Sequence, residues 1–260
     1  MSSPSEMRSH HHRLAQSIWS VFTRKADGLP VSRKACAILL SLVTVQPPRA
    51  VLLMRLEDID LNRWLWHVPP LGDKRSYAVP LTRLAIALVG HAFAFRTDGD
   101  GEFLFPGRRD ASIPMARAVL TRTFRRAKLA PTPQFRRPGY DLPVIAAVVM
   151  SSAGVDALDI RAVMHRISQH ETLRITKFEA SDQWILKRSR AALAQFETEL
   201  MKLVGLKYTD PIFCLPRGFP GPGMPAPAGD ADPRKAGATM GKRTKTVGTE
   251  DDAEQTAKHR

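Results

Sequence analysis

Cationic side chains gather at three places in this chain where they could hold phosphate. Arg117, Arg122, Arg125 and Arg126 fall close together with no acidic residue among them, and Arg136 and Arg137 follow in a Pro-rich linker. Lys74 and Arg75 stand side by side between two short alternating segments, the position of a hairpin turn. A guanidinium group presents a planar fork that donates two parallel hydrogen bonds to a phosphate, and a lysine supplies a point charge. Phosphate contact is the chemistry these residues suit, and a solvated charged surface is the bland alternative. His10, His11 and His12 have no cysteine or acid nearby at ligand spacing, so a solvated helix entrance is expected there rather than a metal site. No metal or cofactor is expected anywhere.

The elements that must position these groups belong to a chain of 260 residues, 43% hydrophobic, enough for one core and a tail. Basic residues outnumber acidic ones by 39 to 25, which makes a polyanion the natural partner. Nine of the basic and seven of the acidic residues lie from Gly205 onward, so the excess charge belongs to residues 1–204. Cys36 and Cys214 are too few for a disulfide framework or a zinc site. With no apolar run of membrane-spanning length and no apolar centre near the N-terminus, a cytoplasmic location without membrane contact is expected.

Read in order, Leu14, Ile18, Val21 and Phe22 recur at helical spacing up to the breaker Asp27-Gly28-Leu29-Pro30. Ser32 can cap a second, nearly all-apolar helix running to Thr44. Pro47 and Pro48 make a tight turn into a short helix, and Glu57-Asp58-Ile59-Asp60 leads into a strand. Arg63 to Val68 alternates with period two, and Tyr77-Ala78-Val79 returns as its partner. Helices are expected from Thr82 to His91, from Met115 to Ala127 and from about Gly139 to Ala153. Two more are expected from Leu158 to His165 and from Asp182 to Val204. The helix from Met115 places Ala116, Val119, Leu120, Thr123 and Ala127 on one face and leaves its arginines mostly elsewhere. Leu186, Leu193, Phe196, Leu200 and Leu203 form the stripe of the last helix, which Gly205 can terminate. From Pro211 onward Pro and Gly are frequent and apolar runs vanish, the composition of a disordered segment. The expected division is a polar leader over residues 1–12, one domain over 13–204 and a Pro/Gly-rich disordered tail over 205–260.

The order of these boxes resembles the catalytic domain of the tyrosine recombinases, the phage integrase family. Thr44-Val45-Gln46-Pro47-Pro48-Arg49-Ala50 is similar to the family's Thr-Gly-x-Arg-x-x-Glu turn, and Asp58-Ile59-Asp60 to its strand lead-in. Phe103-Leu104-Phe105-Pro106-Gly107-Arg108 resembles a Val-Phe-Pro-x-Arg segment. The stretch from Gly139 to Arg166 resembles the second and third boxes, with Ala153-Gly154-Val155 at the Leu-Gly-Val helix end. Thr172-Leu173-Arg174-Ile175 is similar to Thr-Leu-Arg-Tyr. Ser189 to Phe196 also resembles the last helix of the satellite-phage branch, whose spacing moves the nucleophile position toward Ala180. The resemblance implies a mainly α fold with a small antiparallel β-sheet, and duplex DNA as partner. It also implies descent from a mobile element. The family's N-terminal DNA-clamping domain is not expected, because only the short leader precedes Arg13.

The same overlay marks the family's chemistry as altered. Pro47 and Pro143 stand where the two catalytic arginines would be, Tyr140 where a histidine would be, and Ile175 or Ala180 at the tyrosine nucleophile. Arg166 stands at the third-box histidine, although a one-residue shift puts His165 there instead. Only Lys74 keeps a family position, and Arg49 stands two residues past the lost arginine. By analogy with losing an oxyanion donor, each missing arginine costs about 3 kcal/mol of transition-state stabilisation. Loss of the nucleophile removes the covalent intermediate altogether. The reading is a DNA-binding, integrase-like protein unable to cleave, with no small-molecule cofactor, acting as a homo-oligomer or beside an active integrase. Two alternatives stand beside it: an oligomerisation remnant without DNA affinity, and an active recombinase that uses Tyr140.

Overall fold

The computed structural model describes residues 4–72, 75–97, 101–127, 129, 138–165 and 182–219. These fall within one compact unit, residues 1–223. The fold is built around α2 (Arg33–Val43), whose residues from Ala35 to Val43 are all buried. Its sequence, Ala-Cys-Ala-Ile-Leu-Leu-Ser-Leu-Val, has no polar face to turn toward water, so neighbours must cover it on every side. Ser32 begins it as expected, its hydroxyl accepting from the Ala35 N–H at 3.2 Å. Helices α1 (Pro4–Phe22), α3 (Pro48–Leu52), α4 (Arg83–Ala94), α5 (Arg117–Arg126) and α6 (Pro138–Ser152) all pack against it. Helix α7 (Ala157–Val163) lies on α6, and the terminal α8 (Asp182–Val204) lies along α6 and α7.

A three-stranded antiparallel sheet flanks the helices in the order β1 (Ile59–Asp60), β2 (Leu65–Val68), β3 (Tyr77–Pro80). Its register pairs Ile59 with Trp66, and His67 with Ala78. The strand alternation is visible in burial, with Trp66 and Val68 inside and His67 outside. The architecture is therefore mainly helical with one small antiparallel sheet, the fold class read from the sequence.

Two boundaries differ from that reading. α1 starts at Pro4, well before Arg13, with proline at its first position and Glu6 in its first turn. His11 is consequently buried in a helix, its ring hydrogen-bonded to the Met7 carbonyl at 2.7 Å, where a solvated entrance was expected. At the other end the fold continues past Gly205. A 3-10 turn, Pro211–Phe213, seats a fully buried Ile212 on α4, and Phe219 meets Phe93 edge to face at 5.6 Å. Gly90 lets this strap lie down, because a Cβ there would stand 3.0 Å from Leu215 and 3.2 Å from Pro216. Proline-rich composition suggests disorder, but three apolar residues within a short stretch are enough to cover one helix face. Among the described residues no helix is long and apolar enough to cross a membrane.

Candidate nucleic-acid interface

Helix α5 buries Leu120 and Phe124, the latter edge to face with Phe22 of α1 at 5.4 Å. Arg122, Arg125 and Arg126 follow one another at helical i, i+3 and i+4 spacing, and the 3.6-residue turn places them opposite that buried pair. All three are exposed, and no ion pair holds them among the described residues. Arg117, also exposed, sits in the first turn. The two arginines of the last turn additionally complement the helix C-terminus, a modest structural role. α3 packs against α5 and carries Arg49, exposed on its surface. Arg75, at the start of the segment leading into β3, is exposed too. Lys74, Arg136, Arg137, Arg166, Ile175 and Ala180 lie outside the described residues.

The turn between α2 and α3 is held by one left-handed residue and by side-chain hydrogen bonds to its own backbone. Val45 has φ +57°, the left-handed conformation that favours glycine, which the resembled turn carries at this position. Thr44, the C-cap of α2, donates its hydroxyl to the Leu40 carbonyl at 2.6 Å, and Ser41 donates to the Gln46 carbonyl. Pro47 then opens α3 from an extended conformation, with Pro48 at the first helical position. Pro47 is exposed yet has no donor to offer a phosphate. Pro143, likewise without a donor, is buried inside α6.

A buried polar cluster ties this turn to the sheet and to the end of α7. Gln46, 1% exposed, donates its side-chain amide to the Val163 carbonyl at 2.8 Å and to the Thr44 carbonyl at 3.2 Å. Its oxygen accepts from the Tyr77 hydroxyl at 3.0 Å. The Tyr77 ring in turn lies 3.8 Å from the His165 ring, centroid to centroid, the planes inclined by 34°. His165 has φ +48° and closes α7, its N–H bonded to the Ala162 carbonyl at 3.0 Å. The structure thus brings together the turn after α2, β3 and the end of α7. The sequence reading missed Gln46 and Tyr77. A signal was present in Gln46, a lone amide beside an apolar helix, because a buried amide must find partners.

None of this supplies a nucleophile. Burial pushes the Tyr77 hydroxyl up to about 12, and it is already engaged as a donor. Tyr208 is also pushed up to about 12, by burial and by the facing Glu197 carboxylate, to which it donates at 2.9 Å. An attacking phenol needs the opposite shift. Tyr140 lies in the first turn of α6, its side chain outside what is described.

No protein-family model matches this chain, and no curated protein matches it. Among solved structures, the Tn1549 transposon integrase, determined in complex with circular intermediate DNA, is similar over 73% of this chain. The identity is 14% and the TM-score 0.40, and the chain spans 63% of the length of that integrase chain.

Proposed function

We propose that this protein binds duplex DNA through an integrase-type fold and does not break strands. The observation that carries the reading is the exposed face of α5 formed by Arg122, Arg125 and Arg126, with Arg49 also exposed on the neighbouring α3. Helical guanidinium groups facing away from a core, without carboxylates to neutralise them, suit a row of phosphates. The order of the sequence boxes supports the recombinase character. Proline at both arginine positions, together with Ile175 or Ala180 at the nucleophile, supports the loss of cleavage. Under this reading the protein is an inactive member of a mobile-element integration system, and its oligomeric arrangement follows from that setting.

The test is a titration of the full chain with a short duplex at two salt concentrations. Affinity is expected to fall steeply with salt, with a slope of about 0.9 per neutralised phosphate. Absence of binding at low salt would overturn the reading. A denaturing gel of the same mixtures tests the second half, and a protein band covalently joined to DNA would show that cleavage survives.

A further inference from the structure

We infer that the groove between α6 and α7 is a docking site for a partner protein that presents an amphipathic helix with acidic flanks. α6 is apolar all round from Val144 to Met150, a pattern that ordinarily means burial on every side. One face meets it, with Leu142, Ile145, Ala146, Val149 and Met150 in the core. The opposite stripe, Val144, Ala147, Val148 and Ser151, does not: Val144 is 42% exposed, and Ala147 and Val148 are half-buried. These four residues stand at i, i+3, i+4 and i+7. α7 and its C-cap repeat that spacing with Ala157, Ile160, Arg161 and Met164. The two stripes line a groove of about 490 Å³, and Met7 and Arg8 of α1 complete its lining.

The form and charge of the groove choose its occupant. Single exposed apolar residues are ordinary, but exposed Met7 and Val144 belong to one patch with Ile160 and Met164, which marks an interaction surface. Rim residues this exposed leave the groove too open to enclose a small molecule, whose sites bury most of the ligand. Two helical stripes side by side leave a furrow that a third helix fills with its own i, i+3, i+4 and i+7 residues. Met7 and Met164 add unbranched side chains that adjust to the residues of such a helix. Among the described residues, the charged groups lining the groove are Arg8 and Arg161, both cationic, so acidic residues beside the apolar stripe suit the partner. The lining includes no residue of α3 or α5, and the inference does not depend on the DNA-binding reading.

The experiment titrates the full chain with two stapled synthetic helices of about four turns that share one leucine stripe. One carries glutamate beside the stripe and the other lysine. The glutamate peptide should bind, and the lysine peptide should bind about tenfold more weakly. Val144→Glu and Met7→Glu, both at exposed positions, should each weaken the glutamate peptide about tenfold while melting is unchanged. Arg8→Glu should narrow the difference between the peptides. The Met7 and Met164 methyl signals, followed by NMR in wild-type protein, should shift on adding the glutamate peptide. Failure of that peptide to bind, equal binding of both peptides, a preference unchanged in Arg8→Glu, or binding that survives both Val144→Glu and Met7→Glu would overturn the inference. Sedimentation of the protein alone tests the rival occupant. Self-association that Val144→Glu abolishes would show that a second copy fills the groove, and would overturn the inference as well.

Discussion

Val45 occupies a conformation in which a β-branched side chain crowds its own backbone, at a cost of about 1–3 kcal/mol. It is also buried, so its isopropyl group returns part of that cost through packing. Val45→Gly should therefore change stability by less than about 1 kcal/mol, because relief of strain offsets lost burial. Val43→Gly, at an equally buried but helical position, should cost about 3–4 kcal/mol. Denaturant melts of the two variants check this contrast, and equal losses would mean that Val45 carries no strain. At the end of α6, Gly154 has φ +82° with nothing near its missing Cβ. Gly154→Ala should thus cost about 1 kcal/mol through backbone conformation alone.

At the scale of elements, α5 is where the DNA reading is most exposed to test. Replacing Arg122, Arg125 and Arg126 together by Gln leaves Leu120 and Phe124 packed, so melting should hardly move. The salt slope of DNA binding should fall by about three ions if each arginine meets a phosphate. An unchanged slope would place the DNA contact elsewhere. A second element-level device joins α8 to α4. Buried Glu197 accepts the Leu84 N–H at 2.9 Å, capping α4 from a distant helix, and accepts the Tyr208 hydroxyl as well. Burial raises its pKa above the ordinary 4.5, despite these hydrogen bonds and Arg83. In the window above 4.5 the folded protein keeps a proton that the unfolded chain has released. Glu197 therefore favours folding most below 4.5, and that contribution declines as pH rises toward the folded-state value. Glu197→Gln should flatten this dependence in melts followed from pH 4 to 7. Glu197→Ala should cost about 2–4 kcal/mol, because the Leu84 N–H and the Tyr208 hydroxyl lose their acceptor beside a new cavity.

For the whole molecule, the strap after α8 decides where the folded unit ends. A chain stopped at Val204 would strip Ile212 and Phe219 from α4 and remove Tyr208 from Glu197. Such a truncation should lose roughly 3–5 kcal/mol against the full chain, by the usual worth of two large buried side chains. A chain stopped at Gly223 should melt like the full-length protein. Equal melting of both truncations would show that the strap adds no stability.

Much of the fold could be read from sequence because local rules agree with the outcome. The apolar run of α2 demands burial whatever covers it, Ser32 and Thr82 cap the helices they precede, and the alternation around Trp66 sets the sheet faces. Arg122, Arg125 and Arg126 were legible for the same reason, since helical spacing alone separates them from Leu120 and Phe124. Gln46, Tyr77 and His165 lie far apart in the chain, and no local pattern relates an amide after one helix to a ring on a strand. Their meeting depends on how α2, α7 and the sheet pack, as does the capping of α4 by Glu197. Sequence by itself determined the elements and the basic face of α5, because each follows from residue type and short-range spacing. Only the tertiary structure decided which buried polar groups satisfy one another, because a hydrogen bond depends on position in space and carries no trace of sequence distance.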